Sequence, residues 1–82
     1  LLSWVVYILK CGDNSLYTGI TNNLENRLLA HEEGRGAKYT KGRGPFEVVY
    51  QKGYPSRSKA TVKEIEIKTL SLEEKRELIS GQ

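Results

Sequence analysis

Val5-Val6-Tyr7 and Tyr17-Thr18-Gly19 are the two stretches that decide the fold of this chain. Residues 3–11 place apolar side chains on both faces of a strand, which is typical of a strand covered on both sides. A cluster of turn residues follows at 12–15, and residues 16–21 then form a second strand. The two strands are therefore expected to pair as an antiparallel hairpin.

The length of the hairpin loop decides whether the two tyrosines can act together. A three-residue loop over 12–14 pairs Tyr7 with Gly19 and Leu9 with Tyr17. Both phenols then lie on one face, about 7–8 Å apart along the diagonal. A two-residue loop would send them to opposite faces, because one step of slip turns every side chain over. Gly19 opposite Tyr7 is expected to leave room for a bulky group.

A helix is predicted over residues 22–33, with Asn22 as its N-cap and Gly34 as its stop signal. His31 lies on the apolar stripe of this helix and Arg27 lies at the edge of that stripe. Two interpretations of each side chain stay open. Arg27 is either a boundary residue that covers the core or a functional cation. His31 taken alone is better explained as a hydrogen-bonded boundary histidine.

Positive charge is concentrated in the middle of the chain. Residues 35–63 carry a net charge of +7, whereas the segments before and after them carry −2 each. The loop over 34–44 combines four cations, several glycines and one tyrosine, a composition suited to phosphates and to stacking on a base or sugar. The alternatives are a flexible surface loop and a charge that serves solubility. The candidate nucleic-acid contacts are Arg35, Lys38, Tyr39, Lys41, Arg43 and Lys68.

The last third of the chain contains a carboxylate in an unusual position. Residues 46–51 alternate as a third strand, residues 57–70 form a second helix, and residues 71–79 form a third helix opened by a capping box. Glu64 lies on the apolar stripe of the second helix, where an isolated carboxylate is costly. An exposed pair with Lys68 would contribute only about 0.3–0.5 kcal/mol. A buried functional acid explains the position better.

Size and composition exclude several classes of protein. Eighty-two residues are expected to form one domain, residues 1–82. The single cysteine, Cys11, rules out an internal disulfide and a cysteine-based zinc site, which fits a reducing, cytoplasmic location. No segment is long and apolar enough to span a membrane.

The set Tyr7, Tyr17-x-Gly19, Arg27, His31 and Glu64 resembles the GIY-YIG endonuclease superfamily, above all its small single-domain bacterial members. Lys41-Gly42-Arg43-Gly44-Pro45-Phe46 is also similar to the catalytic domain of the eukaryotic structure-specific resolvase. Val5-Val6 and Thr18 depart from the family's Gly-Ile and Ile. The resemblance implies an α+β fold, a small three-stranded antiparallel sheet flanked by three helices.

The resemblance also implies a metal-dependent endonuclease that hydrolyses DNA phosphodiesters, with structure-specific DNA repair or recombination as its setting. Its catalytic residues would be Tyr7, Tyr17, Arg27, His31 and Glu64, and Glu64 would bind a single Mg²⁺ or Mn²⁺ ion. A chain this short is expected to have low specificity or to borrow it from a partner protein. Two alternatives remain: a nucleic-acid-binding module with the same fold and little catalysis, and a protein-interaction adaptor.

Overall fold

Three strands and three helices make up the fold, which a computed structural model describes over residues 2–82. In chain order the elements are β1 (Trp4–Lys10), β2 (Leu16–Thr21), α1 (Leu24–Glu32), β3 (Glu47–Tyr54), α2 (Arg57–Lys68) and α3 (Leu72–Ser80). Both strand pairings are antiparallel. The predicted α+β fold with a three-stranded antiparallel sheet and three helices is confirmed. Within the described residues, no helix is long and apolar enough to cross a membrane.

β1 is the central strand of the sheet, which has the order β2-β1-β3. Four consecutive residues of this strand, Val6 to Leu9, are at most 1 % exposed. This burial on both faces explains why the sequence of β1 is apolar at alternate and at intervening positions.

The register of the β1–β2 hairpin agrees with the three-residue loop. Tyr7 pairs with Gly19, and Leu9 pairs with Tyr17. The amide of Cys11 donates to the carbonyl of Ser15 at 2.9 Å and closes the loop over residues 12–14. Asn14 has a φ of 68°, in the left-handed region that asparagine tolerates better than most side chains. Tyr7 and Tyr17 therefore belong to the same face of the sheet.

The opposite face of the sheet carries the apolar core. Val6 and Ile8 of β1 pack with Tyr50 of β3 and with Ala60 and Ile67 of α2, and all five are at most 5 % exposed. Leu78 and Ile79 bring α3 against the same cluster. The helices after β3 thus pack on the face of Val6 and Ile8, whereas Tyr7, on the other face, is hydrogen-bonded to His31 of α1.

Most element boundaries lie within two residues of the predictions, and the N-cap of α1 and the end of β3 are the differences that have a clear physical cause. Asn23, not Asn22, is the N-cap of α1, and its side chain accepts from the amide of Asn26. The hydroxyl of Thr21 accepts from the amide of Asn23 at 3.0 Å and fixes the turn before the helix. β3 continues three residues beyond the predicted 46–51, through Tyr54, because Gly53 still pairs with Val5 of β1.

Residues 34–46 are tied to the β1–β2 turn. The amide of Gly12 donates to the carbonyl of Arg43 at 2.6 Å, and the Arg43 side chain forms an ion pair with Asp13. Gly34 has a φ of 81°, which glycine adopts without strain as the chain leaves α1. The loop predicted from its glycines and cations is therefore anchored to the hairpin at Arg43.

Ile67→Ala should lower the free energy of unfolding by about 2–5 kcal/mol, since Ile67 is fully buried in the core cluster. Urea denaturation followed by circular dichroism measures the change. Ile65→Ala on the same helix is the control, because Ile65 is 57 % exposed and its loss should change stability by about 0.5 kcal/mol or less. Equal effects in the two variants would contradict this assignment of the core.

Candidate active site

The two tyrosines of the hairpin lie side by side over a glycine. The ring centroids of Tyr7 and Tyr17 are 6.4 Å apart and tilted by 47°. A Cβ on Gly19 would lie 2.6 Å from the Tyr7 hydroxyl oxygen and 3.1 Å from the Tyr17 ring. The space above Gly19, expected from the sequence to admit a bulky group, is thus filled by the Tyr7 phenol itself.

His31 joins α1 to this pair of phenols. Its Nε2 atom and the Tyr7 hydroxyl share a hydrogen bond of 2.8 Å, and its ring meets the edge of Tyr17 with centroids 5.3 Å apart. The Phe46 ring lies 6.0 Å from the imidazole on another side. Tyr7 and His31 are each only 1 % exposed. The phenol and imidazole therefore form a hydrogen-bonded pair shielded from bulk water.

Burial and the Arg27 charge set the protonation of this pair. Burial lowers the pKa of His31, and the nearby Arg27 guanidinium lowers it further. Burial raises the pKa of Tyr7, and the same guanidinium opposes that rise. A neutral imidazole beside a neutral phenol is the state that these shifts favour at neutral pH. A neutral imidazole can accept a proton from a hydroxyl.

Arg27 lies near both phenols, and one nitrogen of its guanidinium has no hydrogen-bond partner within residues 2–82. The Tyr7 phenol raises the pKa of Arg27, so the side chain stays cationic. Its Nε atom is buried and, among residues 2–82, has no hydrogen-bond partner. An unmet buried donor costs about 1–3 kcal/mol, and a guanidinium that keeps a free N–H can bind an anion such as a phosphate.

Glu64 lies on α2 within electrostatic range of the same phenol. Burial is the main cause of the raised Tyr7 pKa, and the negative charge of Glu64 adds to it. The Glu64 side chain is 19 % exposed, and its Oε2 atom lies 3.4 Å from the Lys68 ammonium. The structure thus agrees with both interpretations of Glu64, the ion pair and the buried acid. Glu64 is paired with Lys68, and its side chain is also largely shielded from solvent.

The donor set suits a hard cation. No group of three or more His, Cys, Asp or Glu side chains that could hold a metal occurs within residues 2–82. Mg²⁺ does not need such a cage, because it keeps several waters and uses one or two carboxylates together with substrate phosphates. The Glu64 carboxylate fits that requirement as a single protein ligand, with water and substrate oxygens completing the shell.

The predicted nucleic-acid contacts divide into exposed and engaged side chains. Lys38 and Lys41 are exposed. Arg35 is paired with Glu33. Tyr39, 44 % exposed, stacks on Tyr17 with centroids 6.1 Å apart, and the Arg43 guanidinium lies 4.4 Å above the ring.

Arg43 is therefore part of the fold as well as a surface cation. Its Nε donates to the Tyr39 carbonyl at 2.7 Å, and its guanidinium also pairs with Asp13. The Tyr39 ring thus contacts both Tyr17 and Arg43, and through it the aromatic cluster around Tyr17 reaches the protein surface.

Two residues that contact His31 could not be predicted from the sequence. Thr40 is 1 % exposed, and its hydroxyl lies 2.8 Å from Nδ1 of His31. The backbone of Gly36 also packs on the imidazole, since a Cβ there would lie 2.3 Å from Nδ1. Both lie in an irregular segment with no apolar periodicity. Nothing in the local pattern separates this threonine from a surface residue.

Comparison with known proteins gives the family. The sequence model of the GIY-YIG catalytic domain matches residues 3–77. The UPF0213 protein OB0043 of Oceanobacillus iheyensis is 60% identical over 77 residues, covering 94% of this chain and 90% of the relative. The chain therefore belongs to the GIY-YIG superfamily of nucleases, as the spacing of its tyrosines, Arg27, His31 and Glu64 indicated.

Solved structures share the fold. The solution NMR structure of the UPF0213 protein BH0048 from Bacillus halodurans aligns with a TM-score of 0.64 and 46% identity, covering 96% of this chain and 84% of that one. The solution NMR structure of the protein EF2693 from E. faecalis aligns with a TM-score of 0.65 and 34% identity, covering 94% of this chain and 82% of that one.

The burial of His31 predicts a pH dependence of stability. His31 is the single histidine, and its pKa is lowered below 6.5 in the folded chain. The unfolded chain then binds a proton first as the pH falls, so the free energy of unfolding should decrease below pH 6.5. Urea unfolding at about pH 7.5 and about pH 5.5 measures this.

His31→Gln is the control for that measurement, and its stability should change little over the same window. The lowered carboxyl pKa values, of Asp13 and Glu74, act only below their unfolded values of 3.8 and 4.5 and so do not interfere. A wild-type stability that is level or rises from about pH 7.5 to about pH 5.5 would contradict the burial of a neutral imidazole.

Proposed function

We propose that this chain hydrolyses DNA phosphodiester bonds with the help of a divalent cation. The observation that carries the proposal is the 2.8 Å hydrogen bond between the Tyr7 hydroxyl and His31, formed where Arg27 and Glu64 both act on the same phenol. A proton acceptor, an anion-binding cation and a cation-binding carboxylate are the groups that phosphodiester hydrolysis needs. Membership in a nuclease superfamily supports the same conclusion.

Tyr7 activates the water in this proposal. An isolated phenol has a pKa near 10 and is a poor base at neutral pH. Hydrogen-bonded to His31, the phenol can take a proton from water while its own proton passes to Nε2. The water oxygen then attacks phosphorus, the bond to the leaving oxygen breaks, and the imidazolium holds the proton. Tyr17, in edge contact with His31, helps to keep the imidazole in place.

Arg27 holds the phosphate and Glu64 holds the cation. The guanidinium of Arg27, on a half-buried side chain, can bind two phosphate oxygens through its terminal N–H groups, which would place the scissile group beside Tyr7. A divalent ion on Glu64 would neutralise charge on the phosphate and stabilise the leaving oxygen. Lys38 and Lys41, both exposed on the loop after α1, are proposed to contact the neighbouring phosphates.

A second candidate is a nucleic-acid-binding module that does not cut. Two observations favour it: Tyr7 is 1 % exposed, and Glu64 is already paired with Lys68 at 3.4 Å. Both would hinder catalysis without affecting binding through the loop. Metal-dependent cleavage separates the two candidates.

Wild-type protein should cut at least one member of a labelled panel of single-stranded, duplex, flap and four-way DNA with Mg²⁺ or Mn²⁺, and none with EDTA. In Glu64→Gln the rate of this cleavage should fall by about 10²-fold or more, because the amide cannot neutralise the cation, and the DNA affinity should be kept.

In Tyr7→Phe the cleavage rate should also fall by about 10²-fold, because the variant lacks the proton acceptor. Gel assays of product and of binding give both quantities.

Glu66→Gln is the matched control, since Glu66 lies on the same helix, is 61% exposed and pairs with Lys63. It should cut at the wild-type rate. Cleavage by Glu64→Gln at that rate would refute the assignment of the cation ligand. Salt-sensitive binding with no metal-dependent product on any substrate would establish the binding module instead.

Arg27→Lys should reduce cleavage by about 10²-fold although the positive charge is kept, because an ammonium lacks the planar fork that binds two oxygens. Arg76→Lys on α3, an exposed position, is the control and should cut normally. The comparison is made with saturating DNA so that binding and turnover are separated. Full activity in Arg27→Lys would exclude a bidentate phosphate clamp.

A further inference from the structure

We propose that Thr40 is a positioning residue that keeps the proton of neutral His31 on Nδ1, so that Nε2 is free to accept the proton of Tyr7. The catalytic consequence rests on the proposed nuclease function, whereas the tautomer itself does not. The Thr40 hydroxyl is hydrogen-bonded to the imidazole and to the Ala37 carbonyl, so it acts on Tyr7 through His31.

The hydrogen bonds of the Thr40 hydroxyl assign the tautomer. The oxygen lies 3.1 Å from the carbonyl of Ala37 and 2.8 Å from Nδ1 of His31. A hydroxyl has one proton to donate, and a carbonyl can only accept. With the Thr40 proton donated to the Ala37 carbonyl, the Thr40 oxygen accepts from Nδ1–H, and this is the arrangement that satisfies all three groups.

The same assignment fixes the direction of the next hydrogen bond. A neutral imidazole carries one proton, so with Nδ1 protonated the Nε2 atom is an acceptor. The Tyr7 hydroxyl at 2.8 Å then donates to Nε2. The order of donors is Tyr7 to His31, His31 to Thr40, and Thr40 to the backbone. When Tyr7 gives up its proton, the imidazolium donates at both nitrogens and neither partner has to move.

The segment after α1 holds Thr40 rigidly in this place. The Thr40 carbonyl accepts from the amide of Arg43 at 3.0 Å, and the adjacent Tyr39 carbonyl accepts from the Arg43 side chain at 2.7 Å. On the other side, the Gly36 backbone approaches so closely that a Cβ would lie 2.3 Å from Nδ1. Thr40 is 1 % exposed, so its hydroxyl is the hydrogen-bond partner that the fold provides for Nδ1 of His31.

The tautomer can be measured directly, because His31 is the only histidine. Two-bond ¹H–¹⁵N correlation spectra of uniformly ¹⁵N-labelled protein at neutral pH distinguish a protonated ring nitrogen from a bare one. The wild type should show a protonated Nδ1 and a bare Nε2. Thr40→Ser, which keeps the hydroxyl, should show the same pattern.

Thr40→Val matches threonine in shape and lacks the acceptor. In this variant, Nδ1–H of His31 would be a buried donor without an acceptor, so the proton should move to Nε2. The spectrum should then show a bare Nδ1 and a protonated Nε2. Backbone amide spectra from the same samples establish that each variant is folded. Cleavage should fall about 10²-fold in Thr40→Val and return to near the wild-type rate in Thr40→Ser.

A wild-type spectrum with the proton on Nε2 would overturn the proposal, and this result does not depend on how any variant folds. An unchanged tautomer in folded Thr40→Val would overturn it as well. The predicted tautomers in a protein that cuts no DNA would support the positioning role and reject the nuclease function. The predicted tautomers with full cleavage by Thr40→Val would reject the catalytic consequence.

Discussion

The register of the β1–β2 hairpin is the constraint on which the site depends. The side chains of a strand alternate between two faces, so a shift by one residue would carry Tyr7 to the face of the apolar core and Val6 to the opposite face. The three-residue loop closed by Cys11 and Ser15 prevents that shift. It also sets Gly19 opposite Tyr7, where the missing side chain lets the phenol lie across β2.

The two faces of β1 are filled in different ways. On one face, Val6 and Ile8 pack on the apolar side chains of α2 and β3. On the other, buried polar groups satisfy one another from Tyr7 through His31 to Thr40 and the backbone. Such a network is stable only when each member is paired. The Nε atom of Arg27 is the exception found in residues 2–82, and departures from complete pairing are expected where a ligand binds.

Periodicity is sufficient to predict the strands and the helices, because each depends on local alternation and turn chemistry. The hairpin register stayed open between a two-residue and a three-residue loop, and the structure shows the three-residue loop. The N-cap was misplaced by one residue because Asn22 and Asn23 are both good caps, and the Thr21 hydroxyl decides between them. β3 was predicted too short, since its last residues pair with β1 despite the glycine. Thr40 and the anchoring of Arg43 could not be predicted. Both depend on contacts between an irregular loop and distant elements, which leave no periodic signal.

Pairing with Lys68 is compatible with the proposed role of Glu64 as a cation ligand. Lys68 is 52% exposed, and the two side chains are one turn apart on α2 with 3.4 Å between the charged atoms. Because Lys68 is half exposed, solvent screens its charge, and a divalent ion that contacts both the carboxylate and a phosphate is the stronger partner in the proposed function. The simple explanation of Glu64 as a helix ion pair and the functional explanation are therefore compatible. Lys68 is the half-exposed partner, so its ammonium can turn toward solvent when the proposed cation binds Glu64.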